Sequence, residues 1–229
     1  MLRYNEITTL APITEDARQQ LLLYFANFPN ESRTRNSTAR GRFAFITNKE
    51  NPMVGIVKSI IDQTLGTTDW KLARAVFFET QQGYYIHADR YHTQPDASKI
   101  WQAFIFPLDI VLNDDETELP DLKVLVFDQL WDGLEAITAS RNKQSAEHGK
   151  IISDYSLLKN YKEGFVDPLF AKWTAFQYND VTGLSVSNVL DWKPGVPLTF
   201  PLNRLHCSSR VQSDKVKSKI GFTIFTEMP

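Results

Sequence analysis

At 229 residues the chain has room for one large β-rich domain, and it buries enough apolar surface on folding to need no disulfide or structural zinc. Hydrophobic residues make up 42% and charged residues 23%, and the 25 basic and 27 acidic side chains leave a net charge of −2, which gives no electrostatic footprint for nucleic acid or an anionic membrane. Cys207 is the single cysteine, so an intrachain disulfide and a cysteine-based zinc cluster are both excluded.

The amino terminus, Met1-Leu2-Arg3-Tyr4-Asn5-Glu6, lacks the apolar core of a signal peptide, and no apolar run approaches the roughly 20 residues that span a bilayer. The expectation is a soluble, cytoplasmic protein with one domain over residues 1–229. Residues 1–69 form helical and loop support, and residues 70–229 form a β core. A first helix is predicted from Thr14, with Glu15 and Asp16 in its first turn, through Leu21, Leu22, Tyr24 and Phe25 to Phe28, closed by Pro29. The segment from Ser32 to Arg42 carries Arg33, Arg35, Arg40 and Arg42 and reads as a solvated loop. A second helix fits Pro52 to Leu65, where Val54, Val57, Ile60 and Ile61 recur at helical spacing and Gly66 ends it.

From Trp70 the pattern turns to strands. Ala73 to Thr80 and Tyr84 to Asp89 are β-rich runs joined by Gln81-Gln82-Gly83, which reads as a hairpin turn. Trp101 to Val111 is a long apolar strand in which Pro107 marks an edge or a bulge. An acidic stretch, Asn113 to Asp121, lacks the spaced ligands and central glycine of an EF-hand and is read as solvated. Lys123 to Phe127 is a further strand. The polar segment from Gly133 to Ser153 is predicted to be helical in part and to cover the mouth of a site. Short strands follow near Leu184 to Leu190, Leu198 to Phe200 and Lys219 to Thr226. This series of short strands after two helices predicts a mainly-β sandwich or barrel with helices packed on one side.

Tyr85, His87 and Asp89 occupy alternate positions of one predicted strand and therefore share a face. An imidazole and a carboxylate side by side can chelate a divalent metal, and one more histidine completes a two-histidine, one-carboxylate triad. Such a triad holds Fe(II) on one face and leaves the other coordination positions open. His-x-Asp is a short pattern, and its weight here comes from its place at the end of an apolar strand. Downstream, Gly195-Val196-Pro197-Leu198-Thr199-Phe200-Pro201-Leu202-Asn203-Arg204-Leu205-His206 sets a histidine just after an apolar stretch, and the strand Ile220 to Thr226 follows behind a group of basic residues. His92 competes as a ligand but falls beyond the strand. His148 reads as an ordinary hydrogen-bonded polar residue. Cys207 alternates away from His206 and reads as a small buried residue.

In this order of residues the chain resembles the 2-oxoglutarate- and Fe(II)-dependent oxygenases, particularly their prolyl-hydroxylase-like branch, over Trp70 to Pro229. The resemblance implies a double-stranded β-helix of the jelly-roll type, with His87, Asp89 and His206 as ligands of Fe(II) and 2-oxoglutarate as cosubstrate. It also implies a basic residue on the final strand that takes the far carboxylate of 2-oxoglutarate, a place the family usually gives to arginine. Here the candidates are Lys219, Lys217, Lys215 and Arg210. Lysine lacks the bidentate fork of arginine. Lys219 enters the last strand directly and is placed first, although Lys217 shares its parity. Tyr85 is positioned either to hydrogen-bond the cosubstrate or to pack as an aromatic. The implied activity is hydroxylation of a small-molecule or peptide substrate, with no nucleic-acid or membrane partner. Two other readings stay open: a jelly-roll binding or structural protein without turnover, and a cupin-like metalloprotein that uses His92 and no 2-oxoglutarate.

Overall fold

Capping chemistry fixes both long helices at the residues the sequence predicts. The computed structural model describes residues 6–28, 33–36, 41–81, 86–89, 101–133, 135–140, 150–173, 181–209 and 215–227. Helix α1 spans Glu15–Asn27, and the Thr14 hydroxyl oxygen accepts from the Ala17 N–H at 3.2 Å. Glu15 and Asp16 sit in its first turn, where negative charge complements the helix dipole. Helix α2 spans Pro52–Leu65, starting behind the Asn51 side chain and ending at Gly66, whose φ of 69° is in the left-handed region that favours glycine. Pro29, expected to close α1, lies outside the described residues.

Thirteen strands are present among the described residues: β1 (Thr8–Thr9), β2 (Arg33–Asn36), β3 (Gly41–Ile46), β4 (Lys71–Thr80), β5 (His87–Ala88), β6 (Trp101–Leu112), β7 (Lys123–Leu130), β8 (Ile137–Ala139), β9 (Lys150–Ile152), β10 (Val186–Asp191), β11 (Leu198–Pro201), β12 (Arg204–Ser208) and β13 (Val216–Glu227). They form a seven-stranded sheet in the order β1-β11-β6-β13-β4-β3-β2 and a six-stranded sheet in the order β10-β7-β12-β5-β8-β9. The pairing has a simple rule. First pairs with last, β4 with β13, then β5 with β12, β6 with β11 and β7 with β10, all antiparallel. Successive pairs alternate between the two sheets, so one long antiparallel ribbon is wound into a double-stranded β-helix. The predicted jelly roll is the fold observed.

Some local expectations change. The segment read as an arginine-bearing loop contains β2 and the first two residues of β3, which pair antiparallel and extend the large sheet beyond β4. The β4 and β5 runs do not form a hairpin with each other, because each pairs with a returning strand in a different sheet. Between Gly133 and Ser153 the described residues contain strands β8 and β9 and no helix; β8 pairs with β5. Pro107 lies in a central strand, not an edge, and is tolerated because the β6–β13 register shifts there, with Gly221 opposite Pro107 and Ile220 opposite Asp109. The bulge leaves the Leu108 carbonyl free of the ladder, and the Arg18 guanidinium donates to it at 2.5 Å while held by Glu15.

Burial divides into three clusters set by strand alternation. On β4, Ala75 and Phe77 pack against α1 and α2, whereas Val76 and Phe78 face the small sheet. The space between the sheets also takes Val124 and Val126 of β7, Leu198 and Phe200 of β11 and Phe225 of β13. The outer face of the small sheet, with Ile86, Ala88, Leu125, Phe127, Leu205 and Cys207, is covered by residues from 152–173 and 181–184, which include a 3-10 turn at Tyr155–Leu157 and the short helix α3, Leu169–Trp173. Phe77 is fully buried and stacks on Phe222 at 4.1 Å and on Phe25 of α1 at 5.5 Å. Phe77→Ala is expected to lower the free energy of unfolding by about 3–5 kcal/mol. Urea titration measures this, and a loss below about 1 kcal/mol would mean that α1 is not anchored through this ring.

Candidate metal centre

His87 and His206 meet because β5 and β12 are paired in one register that sets the two residues directly opposite each other. Ile86 and Ala88 pack in the outer cluster, so the residues alternating with them, His87 and Asp89, face the space between the sheets. Leu205 and Cys207 likewise point outward and leave His206 inward, its ring 4.6 Å from that of Phe200 on the opposite sheet. The two imidazoles lie with ring centroids 4.1 Å apart. Each Nε2 faces one oxygen of the same carboxylate: His87 Nε2 is 3.7 Å from Asp89 Oδ1, and His206 Nε2 is 3.2 Å from Asp89 Oδ2. One ligand atom from each of the three residues lies within 4.8 Å of the others, and all three side chains are buried.

The donor set fits a divalent ion: two imidazole nitrogens and a carboxylate, converging from one strand end and its neighbour. His206 Nδ1 is 3.1 Å from the Arg204 carbonyl oxygen. With the proton on Nδ1, that nitrogen donates to the carbonyl and the Nε2 lone pair is left facing the carboxylate. A register shift between Arg204 and His206 on the β7 side of β12 accompanies this contact. Cys207 is buried on the far face, and burial pushes its thiol up, so it stays protonated and packs as a small apolar residue.

The lysines separate for a reason parity alone does not give. Between Val216 and Ser218, two residues of β13 stand against one of β6, and this bulge resets the alternation. Lys217 is exposed, while Lys219 is only 2% exposed and points between the sheets. Lys219 Nζ donates to Ser208 Oγ at 2.6 Å and lies 4.4 Å above the Trp192 ring. Ser208 sits on the same face of β12 as His206, one side-chain step along, roughly 6.6 Å of strand rise. Among the described residues no carboxylate lies within ion-pair reach of Lys219. Burial pushes its ammonium down to about 7 from the ordinary 10.5. Lys215 instead lies 3.9 Å from Glu116. Tyr85, His92, His148 and Arg210 lie outside the described residues. Ser208 and Trp192 were not singled out from sequence; Ser208 carried a usable signal, its parity with His206.

No protein-family model and no curated protein matches the sequence. Solved structures do match its fold. The non-heme α-ketoglutarate-dependent carbocyclase SnoK from nogalamycin biosynthesis aligns with a TM-score of 0.59 at 10% identity, covering 98% of this chain and 81% of SnoK. EctD from S. alaskensis, with 2-oxoglutarate and 5-hydroxyectoine, aligns at 0.51 with 12% identity over 97% of this chain and 72% of its own. A prolyl-4-hydroxylase from Pseudomonas putida aligns at 0.50 with 8% identity over 98% and 94%. The chain therefore has the double-stranded β-helix fold found in 2-oxoglutarate- and Fe(II)-dependent oxygenases. Among the described residues no helix is long and apolar enough to cross a membrane.

The buried lysine has a consequence for stability. Its folded-state value of about 7 lies below its unfolded one, so between about pH 7 and 10.5 the unfolded chain holds a proton that the native state releases. Stability in the ligand-free protein therefore rises with pH across that window, and the full penalty of burying the cation remains below it. Lys219→Met is expected to remove this rise and to be more stable than the unmutated protein at neutral pH. Urea unfolding of both proteins across the window tests it; parallel pH profiles would show that the ammonium is not desolvated.

Proposed function

We propose that the chain is an Fe(II)- and 2-oxoglutarate-dependent oxygenase that hydroxylates a C–H bond of a small-molecule or peptide substrate. The observation that carries this reading is the joint presence, between the same two sheets, of the His87–Asp89–His206 donor set and the buried, acid-free ammonium of Lys219. The first is suited to a metal ion and the second to an anion. Their separation along β12 is one that a short dicarboxylate spans. The structural neighbours with this fold include one crystallised with 2-oxoglutarate, which supports the choice of cosubstrate.

In this proposal His87, Asp89 and His206 hold Fe(II), and Lys219 takes the far carboxylate of 2-oxoglutarate. When bound, the two supply oxygen activation coupled to oxidative decarboxylation. The remaining work belongs to the chain. The Arg204 carbonyl holds the His206 ring in one orientation and fixes its tautomer. Phe200 and Val126 keep water from the inner face on which the ligands sit. Lys219 supplies a buried positive charge of the kind a dicarboxylate needs on leaving water. Its replacement of the more usual arginine moves the task of orienting that carboxylate to neighbouring groups.

Anaerobic addition of Fe(II) and 2-oxoglutarate is expected to give the weak visible charge-transfer band of the chelate. His87→Ala and Asp89→Ala should abolish both the band and iron uptake. Lys219→Ala should keep iron but weaken 2-oxoglutarate binding by roughly 10–100-fold, the loss of a charge-assisted contact worth about 1.5–3 kcal/mol. If the unmutated protein takes up no iron and shows no band, the oxygenase reading is wrong and a binding or structural role stands in its place.

A further inference from the structure

Strand pairing runs one continuous row across the inner face of the large sheet. Phe200 of β11 opposes Ala103 of β6, Ala103 opposes Phe225 of β13, and Phe225 opposes Arg74 of β4. The first member of this row borders the metal centre, since the Phe200 ring lies 4.6 Å from that of His206. The last member, Arg74, alternates with Ala75 on the helix side and so shares the inner face with Val76 and Phe78. A bulge follows directly: Phe225 stands against Arg74 but Thr226 against Leu72, so Ala73 is an extra residue of β4. Leu72 packs on the helix side and Ala73 on the inner one, which sets only a methyl group beside the guanidinium.

Strand β3 continues this face beyond β4. Ala44 and Ile46 pack against the helices, so Phe43 and Phe45 turn the other way, and their rings stack with centroids 6.4 Å apart and planes 11° from parallel. Phe43 is partly buried against the inner cluster, whereas Phe45 is 37% exposed. The Arg74 guanidinium carbon lies 4.2 Å from the centre of the Phe45 ring. Stacking of this kind covers the face of a guanidinium and leaves its N–H donors radiating in the plane. An aromatic shelf that ends in a cation therefore adjoins the metal centre along one surface. We propose that Phe43, Phe45 and Arg74 recognise the substrate and that it is an aromatic carboxylic acid, its ring laid on the shelf and its carboxylate taken by the Arg74 fork. The inference rests on the oxygenase reading for the reaction at the other end of the substrate, and it gives that reading a substrate class. The row spans three strand spacings, about 14 Å, so the acid is held away from the carbon presented to the metal. It is also distinct from the position of Lys219, whose cross-strand partner Thr80 lies about 20 Å along β4 from Arg74.

Ligand-observed NMR titration of the full chain tests this without turnover. The probes are benzoate, phenylacetate and phenylpropanoate, each set beside the alcohol of the same skeleton. At least one acid is expected to bind roughly tenfold more tightly than its alcohol. Arg74→Gln should remove that preference, Arg74→Lys should keep part of it, and Phe45→Ala should weaken acid and alcohol alike. Melting curves establish that each variant is folded. Should Arg74→Gln fail to fold, Arg74→Lys decides, because it keeps the charge and loses the fork; an acid preference left at full strength there overturns the assignment. Acids and alcohols bound equally, a preference that survives Arg74→Gln, unchanged affinities in Phe45→Ala, or no binding of any probe would also overturn it. Iron uptake and the 2-oxoglutarate chelate band, measured on the same samples, separate the two ideas. Iron and band present without an Arg74-dependent preference remove the substrate assignment and leave the oxygenase reading. An Arg74-dependent preference with neither iron nor band removes the oxygenase reading and leaves a binding site for aromatic acids.

Discussion

The pairing of β5 with β12 is the constraint on which the site depends. β5 has only two residues in the ladder, His87 and Ala88, and it is held between β12 on one side and β8 on the other. Alternation makes the outcome all-or-none. A slip of β12 by one residue would turn His206 outward and bring Leu205 or Cys207 inward, opposite His87. The buried outer residues Leu205 and Cys207 oppose such a slip, because it would drive a histidine into their place in the apolar cluster. The apolar packing on the far side of the small sheet thereby holds the polar chemistry on the near side in register.

The inner face carries costs that the rest of the fold has to offset. An ammonium with no acid beside it, and the Trp192 indole N–H and Thr80 hydroxyl without partners, are each unfavourable in a dry interior. They are tolerated because the helix-covered face of the large sheet is heavily apolar, with Phe77, Phe104, Phe106 and Phe222 all fully buried there. Natural proteins depart from local consistency chiefly at functional positions, and this cluster has that character. Its groups come from β4, β10, β12 and β13, so both sheets hold it in shape.

Sequence carried much of the scaffold and a specific part of the site. Thr14, Asn51, Pro52 and Gly66 signal helix ends through groups that act within a few residues, and those boundaries are as expected. The parity of His87 and Asp89 is equally local. What escaped was set by long-range pairing. Whether Gln81-Gln82-Gly83 joins a hairpin depends on where β12 and β13 return, and nothing near residue 81 encodes that. Lys217 and Lys219 look alike by parity, and a bulge against β6 decides between them. Arg33 to Asn36 becomes a strand because the open edge of β3 offers backbone partners, a tertiary effect that overrides a charged composition. Trp192 and Thr80 gave no sequence signal, since an aromatic or a threonine at a strand end is ordinary; only the absence of hydrogen-bond partners sets them apart.

The segment between β7 and β10 lies at the fold-back of the ribbon, where the winding of the other strand pairs does not depend on its length. It is the place where such a chain can lengthen, shorten or change sequence while the helix of strands persists, as loops at the end of a scaffold generally can. Here, however, the segment is not a passive appendage, because its strand β8 is hydrogen-bonded to β5 and sets Thr138 opposite His87. A lineage that rebuilt these residues would be adjusting the neighbour of the strand that carries His87 without replacing any member of the His87–Asp89–His206 donor set. The architecture thus offers a route by which the surroundings of that donor set can drift while the set itself is inherited intact.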